Sequence, residues 1–149
     1  MKADFVLDAK LAHDCHQLGE LNEVVLLLMD NALVPWFILV PKTSAVELCD
    51  LSEPARRILE EAIDRVSLLV RQHWPVEKLN VAAIGNVVRQ LHIHVVGRRQ
   101  GDYCWPGVVW GRTEREAYSV SQLAEIRRQL KTTLGTDFKE HGPSPSDCN

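Results

Sequence analysis

Gln90-Leu91-His92-Ile93-His94-Val95-Val96 is the stretch on which the reading of this chain turns. Polar and apolar residues alternate along it. An extended backbone therefore puts Gln90, His92 and His94 on one face and Leu91, Ile93 and Val95 on the other. Same-face neighbours on a strand lie about 6.5–7 Å apart, so two imidazoles and an amide can address different atoms of one phosphate ester. Three uses fit such a row. It can be an amphipathic strand with histidines on its wet face. It can be a pair of metal ligands, although no third ligand is evident. It can also carry nucleophilic imidazole chemistry, with one His attacking phosphorus while its neighbour handles the leaving group's proton.

The flanking sequence supplies the other elements. Gly85-Asn86 reads as a turn after a strand over 78–84, and the histidine strand itself runs over 89–96. Gly97 to Asp102 reads as a loop. Residues 23–29 and 35–40 are two apolar, β-leaning runs joined by the short polar link that begins Asp30-Asn31, which predicts an antiparallel pair. The clearest helix starts at Ser52 as N-cap, tolerates Pro54 in its first turn, and ends before Pro75. Its apolar stripe is Ile58, Leu59, Ala62, Ile63, Val66, Leu69 and Val70. Leu7, Leu11, Cys15 and Leu18 predict a short helix over 7–21. Ser121 is expected to cap a last helix with Leu123, Ile126, Leu130 and Leu134 inward and Gly135 at its end. The fold class predicted is α+β: an antiparallel sheet with a long helix packed on it and a C-terminal helix.

At 149 residues, with 46% hydrophobic and 25% charged, the chain can build a core of its own and is not expected to be disordered. One domain is expected over 1–140, followed by a Pro/Ser-rich tail over 141–149. A net charge of −3 speaks against a nucleic-acid polymer as partner. The longest strongly apolar run, residues 24–29, is too short to cross a bilayer, and the charged N-terminus does not read as a signal peptide, so a cytoplasmic location without membrane contact is expected. Cys15, Cys49, Cys104 and Cys148 form neither a CxxC pair nor a disulfide pattern. His13, Asp14, Cys15 and His16 are adjacent, but a helix would turn them to different sides.

The histidine stretch, with Gly85-Asn86 before it and Gly97-Arg98-Arg99-Gln100 and Trp105-Pro106-Gly107 after it, resembles the signature of the histidine triad family, His-φ-His-φ-His-φ-φ with φ apolar. Leu28-Met29-Asp30-Asn31, Val34-Pro35 and Ile38-Leu39-Val40-Pro41-Lys42 resemble that family's ribose-binding strand pair, so the likeness covers about residues 5 to 111. The resemblance implies roles. His92 would be the nucleophile that accepts a nucleoside monophosphate, and His94 would stand near the phosphate and leaving group. Asn86, next to Gly85, would contact the phosphate, Asp30 or Asn31 would hold the ribose hydroxyls, and the apolar side chains of Val24, Leu26, Leu28 and Ile38 would cradle the base. Gln90 replaces the first triad His and can still fix the nucleophile through its backbone carbonyl, but it carries no proton. Phe37 stands where many members have a further His. The resemblance thus implies a nucleotide hydrolase or transferase acting at the α-phosphorus of a nucleoside phosphate or phosphoramidate, needing no metal and no cofactor. Its partners would be a purine nucleotide or nucleotide conjugate and a second copy of the chain in a homodimer. The alternative is a nucleotide-binding sensor or scaffold with little or no catalysis.

Overall fold

Asn22 and Glu23 both take left-handed backbone angles, φ 47° and 69°. Two such residues in succession make a tight hairpin. They join β1 (Cys15–Leu21) to β2 (Val24–Met29), with Leu21 opposite Val24. β2 then pairs antiparallel with β3 (Trp36–Pro41), as the sequence predicts. The remaining strands are β4 (Lys78–Ala82), β5 (Ile93–Arg98) and the short β6 (Phe138–Glu140). The computed structural model describes residues 4–142, and over them six strands form one sheet in the order β4-β5-β3-β2-β1-β6, every pairing antiparallel. With the helices α1 (Ala9–Asp14), α2 (Glu53–His73) and α3 (Val120–Leu134) this is the α+β fold expected. No described helix is long and apolar enough to cross a membrane.

Both faces of the sheet are covered, which is why β2 and β3 are apolar almost throughout rather than alternating. On one face Leu26, Leu28, Phe37, Leu39, Ile93 and Val95 pack under α2 and α3. On the other, Val25, Leu27, Trp36, Ile38, Val40 and Val96 pack against Leu11 of α1, Val88 and Val109, with Phe5 and Leu7 of the N-terminal segment alongside. The second face carries the candidate site.

The helix ends follow local chemistry. Ser52 Oγ accepts a hydrogen bond from the Ala55 N–H at 3.3 Å, a cap worth about 1 kcal/mol. Leu59, Ala62, Val66, Leu69 and Val70 form the buried stripe, whereas Ile58 is exposed. The last helix starts earlier than the Ser121 cap predicts. Ser119 is the N-cap and makes a reciprocal capping box with Gln122. Gly135, at φ 66°, ends it.

Two predicted elements differ more deeply. The helix expected over 7–21 is α1 followed by β1. Cys15 packs on the face of Leu11 and Trp36, whereas Leu18 and Leu21 both pack under the helices, three residues apart because of a β-bulge where the pairing register slips between Gln17 and Gly19. A bulge inserts an unpaired residue and so imitates helical spacing within a strand. The strand expected over 89–96 instead starts at Ile93, and Gly97 and Arg98, expected in a loop, complete it. The predicted tail begins at His141, whose N–H still bonds the Leu18 carbonyl; residues 143–149, including Cys148, lie outside the described residues.

Candidate active site

The residues just before β5 do not join the ladder because their backbone is used locally. Gly85 takes φ 68°, a left-handed angle that a Cβ would strain, and the chain folds over Asn86 and Val87 before reaching His92. There the His92 Nδ1 lies 2.7 Å from the Gln90 carbonyl oxygen. A carbonyl only accepts, so Nδ1 carries the ring proton and Nε2 keeps the free lone pair. His94, the second residue of β5, sits beside it, with ring centroids 4.9 Å apart. Its Nδ1 lies 2.9 Å from the Trp36 indole nitrogen. Trp110 packs edge-on against both His94 and Trp36. Burial, with the neighbouring His92, pushes the His94 imidazole down to about 4.

Both histidines face a cavity of about 510 Å³. Its walls are Lys10, Leu11 and Asp14 from α1, Met29, Trp36 and Ile38 from the sheet, Ile84 to Val88 including Gly85 and Asn86, and Val109 to Arg112. His92 thus shares one apolar-floored cavity with the predicted phosphate turn. Volumes of this order suit a small ligand. Burial alone would raise the Asp14 carboxyl, but hydrogen bonds from His13 and Lys10 hold it below the usual range. Among the described residues, no group of three or more His, Cys, Asp or Glu side chains is placed to hold a metal.

Several singled-out residues lie elsewhere. The Gln90 side chain does not stand in a row with the imidazoles. Its Nε2 donates to the Val6 carbonyl at 2.9 Å and its Oε1 accepts from the Asp8 N–H at 2.8 Å. Asp30 is engaged by His16 at 2.9 Å, by Arg115 at 3.1 Å and by the Tyr118 N–H at 3.1 Å. Asn31 is buried and accepts from the Leu33 and Glu116 N–H groups. Neither residue is on the cavity wall, where the carboxylate is that of Asp14. Val24, Leu26 and Leu28 point under the helices, so of the predicted base cradle only Ile38 faces the cavity. Phe37 likewise faces the helices and packs edge-on against Trp74. Arg98 is fully buried and bonds Asp102 and Asn80, at 2.7 and 3.0 Å, and it is not on the cavity wall. Burial alone would raise the Asp102 carboxyl, but Arg98 and the N–H groups of Cys104 and Arg99 hold it at about 2.

The HIT domain family profile matches residues 10–101 of the 149. This chain is a member of the HIT domain family. Three solved HIT structures share its fold. A histidine triad protein from Bradyrhizobium japonicum is 35% identical, with a TM-score of 0.83 over 87% of this chain and 98% of that one. One from Sinorhizobium meliloti is 32% identical, with a TM-score of 0.84 over 89% and 99%. One from Marinobacter aquaeolei is 40% identical, with a TM-score of 0.80 over 87% and 96%. No curated protein matches the chain. HIT domain proteins are generally nucleotide-binding hydrolases and transferases.

The sequence pattern gives neither Trp36 nor Asp14 a role at the site. A signal existed for Trp36. A Trp on a strand apolar on both faces has an N–H that needs a partner once buried.

Proposed function

We propose that this HIT protein is a nucleotide hydrolase or transferase in which His92 attacks the α-phosphorus of a nucleoside phosphate or phosphoramidate. The observation that carries the reading is the 2.7 Å contact between His92 Nδ1 and the Gln90 carbonyl, made inside a ligand-sized cavity. It leaves Nε2 as the nucleophilic atom and supports the positive charge that grows on the ring as the bond to phosphorus forms. Gln90 therefore stands in for the first triad His through its backbone. His94, Asn86 and the backbone at Gly85 stabilise the developing phosphoryl charge. The base, a purine, lies over Ile38, Met29 and Val109, and the ribose hydroxyls turn to Asp14, while Asp30 and Asn31 anchor the 114–118 backbone. The leaving group departs, and water releases the nucleoside monophosphate from His92. The scheme calls on no metal or cofactor. The working unit is a homodimer.

The test is turnover of adenosine 5′-phosphoramidate and of a dinucleotide by the wild type and by His92→Ala, with acid-free trapping of labelled protein. The wild type should turn over at least one and carry label on His92, and the variant should do neither. Turnover surviving in His92→Ala would reject the reading. One observation favours a binding-only module instead: the Gln90 amide is spent on the N-terminal backbone and carries no proton. Tight nucleotide binding with no label on His92 would select that module.

A further inference from the structure

Two imidazoles side by side are usually taken as interchangeable proton carriers. Here each has a different partner on Nδ1, and the partners have opposite hydrogen-bonding character. His92 Nδ1 meets a carbonyl oxygen at 2.7 Å, which can only accept. His94 Nδ1 meets the Trp36 indole N–H at 2.9 Å, which can only donate. We infer that Trp36 is a positioning residue that fixes His94 as a neutral imidazole with its proton on Nε2, so that His94 serves as a fixed hydrogen-bond donor beside the His92 nucleophile. For the site's chemistry this rests on the proposed reading of His92, but the ring state stands on geometry alone.

Trp36 is able to do this because of the register. It lies opposite Val96, and Ile38 lies opposite His94, so Trp36 and His94 are diagonal neighbours on one face. Trp36 is buried and held edge-on by Trp110, whose own Nε1 has no partner among the described residues, so Trp110 contributes packing and no competing hydrogen bond there. Protonating His94 would set its new Nδ1–H head-on against the indole N–H. It would also place a cation in a buried site next to His92. Both effects, with burial, oppose the charged form, in line with the fall of this imidazole to about 4. Among the groups around the ring, His92 comes from the segment before β5, Trp36 from β3, and Trp110 from the 109–112 loop; Lys10, Asp14 and Arg112 are the charged groups on the cavity wall. In this state His94 offers one N–H to a phosphoryl or leaving-group oxygen and has no second proton to give. The proton handling that the sequence assigns to the neighbour of the nucleophile is therefore not done by His94.

The test is nitrogen NMR of the histidine rings in the ligand-free protein, wild type and Trp36→Phe, between about pH 5 and 8. The wild type should show His94 protonated on Nε2 and unprotonated on Nδ1 throughout, with no titration in that range. In Trp36→Phe the two tautomers should mix and the His94 midpoint should rise toward the ordinary 6.5, while His92 keeps its proton on Nδ1. With a substrate that turns over, the same variant should lose kcat and keep KM. A wild-type His94 protonated on Nδ1, or titrating within the range, overturns the inference without recourse to the variant. Unchanged His94 shifts in a folded Trp36→Phe also overturn it. The ring state is read without any substrate, so absence of His92-dependent turnover would count against the proposed function and leave this result standing.

Discussion

At the scale of single residues, the site separates two imidazoles by what each Nδ1 touches. The same separation has a cost in acid. An unfolded chain binds a proton on His94 near the ordinary 6.5, and the folded one only near 4. The unfolded state therefore holds more protons between those values. The stability linked to the neutral ring is fully present above about pH 6.5 and is lost as pH falls toward 4, by roughly 3 kcal/mol in all. Urea unfolding near pH 7 and near pH 4 should show that loss in the wild type and a correspondingly smaller one in His94→Gln. An identical pH dependence in the two proteins would refute it. The histidines themselves were legible in the sequence, because alternation alone puts His92 and His94 on one side. Their partners were not. The Trp36 contact spans 58 positions and the Gln90 side-chain contacts span 82 and 84. No local pattern encodes pairings that exist only once β3, β5 and the N-terminal segment are assembled.

At the scale of elements, the decisive departures are places where backbone groups are satisfied outside a ladder. Gln90 is the clearest. A primary amide offers a donor and an acceptor side by side, as a strand does, and Val6 and Asp8 bond to it as they would to a neighbouring strand. The N-terminal segment is thereby tied to the loop that presents His92. Gln90→Ala keeps the backbone carbonyl under His92 but drops both side-chain bonds, so it should cost about 1–2 kcal/mol. Hydrogen exchange at residues 6–8 should accelerate while the His92 tautomer is unchanged. Unaltered exchange there would remove the tethering role. The bulge in β1 makes a second case. A Cβ on Gly19 would run into the Lys139 carbonyl oxygen and the Phe138 ring of β6. Gly19→Ala should therefore destabilise the protein by about 1–3 kcal/mol, measured by thermal or urea unfolding. A neutral substitution would mean that β6 moves aside at little cost. The long helix and the β2–β3 pair were readable because capping and apolar runs are local signals. The bulged β1 was not, since its spacing is the one a helix would give.

At the scale of the molecule, the sheet has two edges, and they are not alike. β6 is three residues long and carries Lys139 and Glu140, short and charged as protected edges are. β4 has five residues and, among the described residues, leaves one side of its backbone unpaired. Val81 sits opposite Val95, on the face packed under α2, yet it is 47% exposed. Leu68 on α2 and Ile84 just beyond β4 are exposed as well. An open apolar edge beside exposed apolar side chains is what a second copy can cover, by pairing β4 with its equivalent across a two-fold axis. Because Ile84 also lines the cavity that holds His92, such a partner would close over the rim of the site. Sedimentation should accordingly show a dimer for the wild type and a monomer for Val81→Lys, whose charge would be buried without a partner at the pairing edge. The monomeric variant should keep its His92 and His94 ring states, since every partner of those rings lies within one chain. Its turnover should nevertheless fall if the rim contributes to binding, as a rise in KM with kcat maintained. A wild type that sediments as a monomer, or a Val81→Lys protein that remains a dimer, would place the contact elsewhere and detach Ile84 from any role shared between copies.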